Sequence, residues 1–116
     1  MTNKFIGARE ILNFCDVKND VPQSSTDVLP DLNNVYDGCS IYICNTALKK
    51  FSEKINDINV KFILVSGDSD EEVFVNIFEN YDEFLNFVEN DKIIHWFCQN
   101  CSVNPYLKQL FIKLYF

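Results

Sequence analysis

Polar side chains follow three apolar runs of the chain, and their types suit ligand binding. The runs span residues 40–44, 60–65 and 92–97. If the runs are parallel strands, their carboxyl ends meet at one edge of the sheet, where ligands of such sheets bind. The candidate crevice consists of Asn45, Thr46, Gly67, Asp68, Ser69, Asp70, His95, Gln99 and Asn100. The same residue types also cap helices and form turns, so a structural role is the alternative.

The acidic pair Asp68 and Asp70 follows the second run and is the candidate metal site. Carboxylates two residues apart can share Mg²⁺ or Mn²⁺, because these cations prefer oxygen ligands. This spacing occurs in nucleotide-sugar glycosyltransferases and in aspartate-nucleophile phosphohydrolases, but Glu72 stands where the latter usually have Thr or Val. A solvated acidic turn is the structural alternative.

Cysteine and histidine offer less chemistry. Cys98 and Cys101 have the spacing of a redox motif or half a zinc site, but no convincing second pair accompanies them. His95 is the only histidine and lies inside an apolar run, where a core role competes with a ligand-binding one. The sequence contains no P-loop and no glycine-rich dinucleotide motif. Five cysteines without a secretory signal favour reduced thiols in a cytosol, so we expect a cytoplasmic protein.

The elements that must position these residues alternate in type. A helix is expected after the first run, because Leu48, Phe51, Ile55 and Ile58 recur at helical spacing. A second helix is expected over residues 81–89, and residues 106–116 are expected to form a fourth strand at an edge. This order predicts an α/β protein with a three-layer Rossmann-like fold, in which helices flank a small, mostly parallel sheet.

The remaining segments complete a single domain over residues 1–116. Residues 8–15 are expected to form a short amphipathic helix, and residues 16–38 a long polar surface loop that the turn Asp37-Gly38 ends. The formal net charge of −7 makes nucleic acid and membrane surfaces unfavourable partners.

Residues 37–114 resemble the amino-terminal half of exostosin-like glycosyltransferases, including members in large DNA viruses and protists. The likeness rests on residues 41–44 (IYIC), 61–70 (KFILVSGDSD) and 95–101 (HWFCQNC). It departs from the family at Phe111, Lys113 and Tyr115, where relatives tend to have Pro, Gly and Asp. If viral, the protein is expected in the host cytoplasm.

The resemblance implies a specific expectation about function. In this family the nucleotide-sugar is held mainly by a carboxyl-terminal domain, for which the sequence has no residues. We therefore expect a shortened, non-catalytic half without a cofactor that acts as a binding or self-association module. The alternative is a glycosyltransferase or metal-dependent transferase, with Mg²⁺ or Mn²⁺ and a sugar or nucleotide-sugar ligand, that is active only with a partner chain.

Apolar residues near the carboxyl terminus predict a homodimer. An edge strand rich in large apolar side chains must be covered, and a two-fold interface does so. The residues expected to self-associate are Phe111, Ile112, Leu114, Tyr115 and Phe116.

Overall fold

A parallel β-sheet lies at the centre of the fold. The structure, a computed structural model, describes residues 12–20, 26–67, 77–78, 80–98 and 114–115. Within those residues the sheet has four strands in the order β1-β2-β3-β4, and each neighbouring pair is parallel. The strands are β1 (Cys39–Cys44), β2 (Phe62–Gly67), β3 (Ile93–Cys98) and β4 (Leu114–Tyr115). The predicted parallel sheet is confirmed.

Strand β2 continues beyond its predicted end. The apolar run ends at residue 65, but Ser66 and Gly67 are also buried in the strand. The reason lies on β3, where the indole Nε1–H of Trp96 donates a hydrogen bond of 2.9 Å to Ser66 Oγ. Because Trp96 is fully buried, its indole donor needs a partner inside the protein, and Ser66 supplies it.

The first helical segment follows β1 as predicted. Helix α1 (Leu48–Lys54) lies between two short 3₁₀ turns, Asn45–Ala47 and Ile55–Asp57. The four apolar residues expected on its inner face are all buried: Leu48, Phe51, Ile55 and Ile58. Capping by Asn45 or Thr46 is not observed, because both residues lie inside the first 3₁₀ turn and neither helical start has a side-chain cap.

Helix α2 (Tyr81–Val88) begins with a side-chain cap. The Asn80 side chain accepts a hydrogen bond of 2.8 Å from the backbone N–H of Glu83. The Glu83 carboxylate also accepts from Lys49 Nζ at 2.7 Å, which joins α2 to α1. No helix in the described ranges has both the length and the apolarity needed to cross a membrane.

Both helices pack on one face of the sheet, which we call the helix face. The ring centroids of Phe87 and Phe51 are 6.3 Å apart, and those of Phe87 and Trp96 are 5.2 Å apart. These contacts connect α2 to α1 and to β3 in one aromatic core. The α/β fold with helices flanking a parallel sheet, expected from the sequence, is therefore present.

The opposite face of the sheet, which we call the second face, is covered by the amino-terminal segment over β1 and β2. Leu12 and Cys15 pack there against Tyr42 and Val65. Tyr42 and Val65 are paired in register, and Val65 is paired with Phe97. Residues that face each other across neighbouring strands share a face, so these three form one row across the sheet. Of the predicted helix over residues 8–15, residues 8–11 lie outside the described residues.

The described part of the polar segment 16–38 is anchored at both ends. Val17 forms a single parallel bridge to Ile41, in which its N–H donates to the Ser40 carbonyl at 2.9 Å. Leu29, Leu32 and Val35 pack against the core of the helix face. Gly38 ends the segment with φ of +86°, a conformation that glycine adopts readily, as the predicted turn requires.

The Ser66–Trp96 hydrogen bond gives the first testable prediction. Ser66→Ala leaves a buried indole donor without its acceptor, so we expect the free energy of unfolding to fall by about 1–3 kcal/mol. Urea unfolding followed by circular dichroism measures this change.

A double-mutant cycle isolates the hydrogen bond. In a Trp96→Phe background the donor is absent, so Ser66→Ala should lower the free energy of unfolding clearly less than in the wild type. Equal costs in the two backgrounds would contradict the assignment. Ser52→Ala is the matched control, because the Ser52 hydroxyl donates to the Lys49 carbonyl at a partly exposed position where water can replace it.

Candidate functional site

The carboxyl ends of the three long strands meet at one edge of the sheet. Cys44 at the end of β1 is paired with Gly67 at the end of β2, and Ser66 is paired with Cys98 at the end of β3. This edge is where the sequence places the candidate crevice. Five of its nine residues lie outside the described residues: Asp68, Ser69, Asp70, Gln99 and Asn100.

A hydrogen bond within the chain engages the Thr46 hydroxyl beside β1. The Thr46 hydroxyl donates to the backbone carbonyl of Thr26 at 2.6 Å, and Cys44 Sγ lies 3.2 Å from the same hydroxyl. The side chain of Asn45 is fully buried. Thr26 therefore lies over the carboxyl end of β1, where the sequence predicts an open crevice.

His95 lies away from this edge. It is paired with Ile63 on β2, three residues before the end of β3, and its ring centroid is 6.4 Å from that of Phe97. The register shifts between Phe62 and Ile63, so that Ile94 is an extra residue on β3. The structure therefore groups His95 with Phe97 and not with Asn45 and Thr46.

The cysteines of the described residues are part of the packed interior. Cys15, Cys39, Cys44 and Cys98 are buried thiols, and Cys101 lies outside the described residues. Burial raises the pKa of the Cys15 thiol, which keeps it protonated and a poor nucleophile. In the part of the chain that the structure describes, no three His, Cys, Asp or Glu side chains are grouped so that they could hold a metal ion.

Two exposed apolar side chains lie on β3, the strand that pairs with β4. Phe97 is 45 % exposed and Ile94 is 37 % exposed. Strand β4 is paired with β3 at this point, with Tyr115 beside Phe97 and Leu114 beside Trp96. Of the strand expected over residues 106–116, Leu114 and Tyr115 belong to the sheet, while residues 106–113 and 116, which include Phe111, Ile112 and Phe116, lie outside the described residues.

Comparison of the chain with protein-family models, with curated proteins and with solved structures finds no match. The resemblance to exostosin-like glycosyltransferases stays a hypothesis.

A polar cluster at the start of β1 was not predicted from the sequence. Asp16 Oδ2 accepts hydrogen bonds from the Ser40 N–H at 2.9 Å and from the Ser40 hydroxyl at 3.1 Å. The Tyr36 hydroxyl donates to the same carboxylate. We call these three residues the Asp16 cluster. It ties the segment that covers the second face to β1, and its members are up to 24 residues apart, so no local sequence pattern indicates it.

The hydrogen bonds of the Asp16 cluster shift the acidity of its members. The bond from the Ser40 backbone N–H, followed by those from the Tyr36 and Ser40 hydroxyls, holds the pKa of Asp16 below its usual range. The same carboxylate raises the pKa of Tyr36, so the phenol stays protonated and continues to donate.

The lowered pKa of Asp16 predicts a pH-dependent contribution to stability. Because the pKa is lower in the folded than in the unfolded chain, the contribution is fully present above a pH of about 4. It is lost as the pH falls through the folded-state pKa, below which Asp16 is protonated in both the folded and the unfolded chain. The loss of unfolding free energy caused by Asp16→Asn should therefore be largest near neutral pH and shrink in acid.

Urea titrations of the two proteins between pH 7 and pH 3 measure this difference. Asp20→Asn is the control, because it removes the same charge from an exposed position in the same segment. A difference between wild type and Asp16→Asn that stays constant over the whole range would contradict the role of the Asp16 cluster.

Proposed function

We propose that this chain is a non-catalytic α/β binding module that associates with a second copy of itself. We further propose that it is related to the amino-terminal half of exostosin-like glycosyltransferases and acts in the cytoplasm, that of the host if the protein is viral. The observation that carries the self-association is the exposed apolar surface of β3, formed by Ile94 and Phe97, beside the short strand β4.

The row of paired residues on the second face supports this surface as an interface. Leu12 and Cys15 cover the row at Tyr42 and Val65, whereas Phe97 at its other end is nearly half exposed. Large aromatic side chains at a sheet face carry much of the free energy of association when water is removed from them. A second copy offers a matching apolar surface, and in a two-fold dimer the same patch meets itself.

The position of β4 extends the proposed interface toward the carboxyl terminus. Leu114 and Tyr115 lie beside Trp96 and Phe97 in the ladder, so the apolar sequence of residues 111–116 continues from the exposed part of β3. A stable dimer needs about 800 Å² on each partner. We propose that β3 and residues 111–116 supply this area together.

The charge of the chain is consistent with an apolar contact. Two copies that each carry a formal charge of −7 repel one another at long range, and salt screens this repulsion over about 8 Å at physiological ionic strength. The proposed contact on β3 contains no acidic side chain among Ile94, His95 and Phe97. Association through them should therefore strengthen when salt is added, whereas binding to a basic partner would weaken.

The carboxyl edge of the sheet supports a non-catalytic role. The Thr46 hydroxyl donates to Thr26, and the side chain of Asn45 is buried. The Thr46 hydroxyl is therefore already used inside the chain and the Asn45 side chain is closed to solvent, which supports a structural role for this end of β1.

The proposed dimer gives a direct prediction. At micromolar concentration, light scattering should find a mass of two chains for the wild type and of one chain for Phe97→Asp, because a carboxylate cannot be buried at an apolar contact without a partner. Val28→Asp is the matched control: Val28 is 56 % exposed, and the substitution adds the same charge elsewhere.

Three results separate the possibilities. A wild-type mass of one chain would refute self-association. Equal dissociation by Val28→Asp would show that added charge, and not the β3 surface, is responsible. Removal of residues 111–116 should also dissociate or precipitate the protein, and an unchanged dimer would exclude the carboxyl-terminal part of the interface.

A transferase completed by a partner chain is the second candidate. It is favoured by the end of β2 at Gly67, directly before Asp68 and Asp70, at the edge where a Mg²⁺ or Mn²⁺ site is expected. The non-catalytic proposal predicts that nucleotide-sugars, with or without Mn²⁺, leave the melting temperature of the isolated chain unchanged.

A ligand at 100 times its dissociation constant would stabilise the protein by about 2.7 kcal/mol, which raises the melting temperature by several degrees. A shift of that size that requires Mn²⁺ and is lost in Asp68→Asn would favour the transferase. Asp91→Asn, which removes the same charge from an exposed turn, is the control.

A further inference from the structure

Residues 26–28, which we call the strap, lie over the carboxyl end of β1. The Thr26 carbonyl accepts the 2.6 Å hydrogen bond from Thr46, and the Val28 carbonyl accepts a bond of 3.1 Å from the Asn19 side-chain amide. The Val28 N–H donates to the Thr26 hydroxyl at 3.2 Å. The observed tethers of the strap to its surroundings are therefore polar.

The chain that follows the strap is held differently. Pro30 is buried, and Leu29 packs against the core of the helix face. Asp27 and Val28, by contrast, are exposed. The anchoring changes from polar to apolar at Leu29. The strap can therefore leave β1 while Leu29 and Pro30 stay packed.

The proton arrangement beside the strap follows from the donors present. The Thr46 hydroxyl has one proton and gives it to the Thr26 carbonyl, so its contact with Cys44 requires the thiol to donate. Cys44, at 5 % exposure, therefore lies directly behind the bond that holds the strap. The reactivity of the Cys44 thiol therefore reports whether the hydrogen bond between Thr46 and Thr26 is formed.

We propose that the strap opens and closes as a local unit while the sheet stays folded, and that the Thr46 hydroxyl is its latch. We expect opening to give solvent access to Cys44 and Asn45 at the carboxyl end of β1, which are buried in the closed state. The strap thus controls the solvent exposure of these two side chains. This inference is independent of the proposed self-association, which concerns β3.

Two native cysteines on β1 test the proposal in the wild type. Cys39 lies at the amino end of the strand and is fully buried, whereas Cys44 lies behind the strap. Under native conditions a thiol reagent, with peptide mass mapping, should label Cys44 much faster than Cys39. The Cys44 rate should change little in low urea, because a local opening exposes little surface. Equal rates with the same urea dependence would overturn the proposal, since both thiols would then react only by global unfolding.

Substitution of the latch gives the second test. Thr46→Val keeps the shape and removes the hydroxyl, so the Cys44 labelling rate and the hydrogen exchange of residues 27–29 should rise about fivefold, the factor that corresponds to one net hydrogen bond. Thr46→Ser keeps the hydroxyl and should behave as the wild type. If Thr46→Val accelerates Cys39 as much as Cys44, or accelerates neither, the latch is refuted. If this variant does not fold, the urea comparison in the wild type decides alone.

Discussion

The burial of Trp96 on the helix face is the constraint on which the arrangement of the sheet depends. Its indole packs against Phe84 and Phe87 of α2 and donates to Ser66 of β2. Because side chains alternate along a strand, placing Trp96 inward turns His95 and Phe97 to the second face. The burial of this one side chain therefore links the docking of α2, the extent of β2 and the direction of His95.

The same alternation explains why the two faces differ in character. The helix face is closed by α1 and α2, whose aromatic side chains fill the space over all three long strands. Among the described residues, the amino-terminal segment covers the second face over β1 and β2, and the Asp16 cluster holds that segment in place. Phe97 lies beyond this cover, and its exposure is the physical basis of the proposed interface.

The carboxyl edge of the sheet shows a different use of polar residues. Parallel strands bring their last residues to one edge, and such edges commonly bind ligands. Here the residues after β1 face the strap, and the Thr46 hydroxyl is bonded to backbone. A polar residue after a parallel strand therefore indicates a position at the edge, while the nearby chain determines whether it is open to a ligand.

The sequence by itself determined the elements and their order. The apolar runs predicted β1, β2 and β3 to within two residues at each end, and the spacing of Leu48, Phe51, Ile55 and Ile58 identified the buried face of α1, because both patterns are local. Contacts between distant residues decided the rest. Trp96 donates a hydrogen bond to Ser66 in β2, and the Thr26 carbonyl accepts one from Thr46. The extra residue Ile94 sets the register of His95, and Asp16 accepts hydrogen bonds from Ser40, 24 positions away. No periodicity encodes such pairs, since each depends on which distant groups the packed core brings within hydrogen-bonding distance.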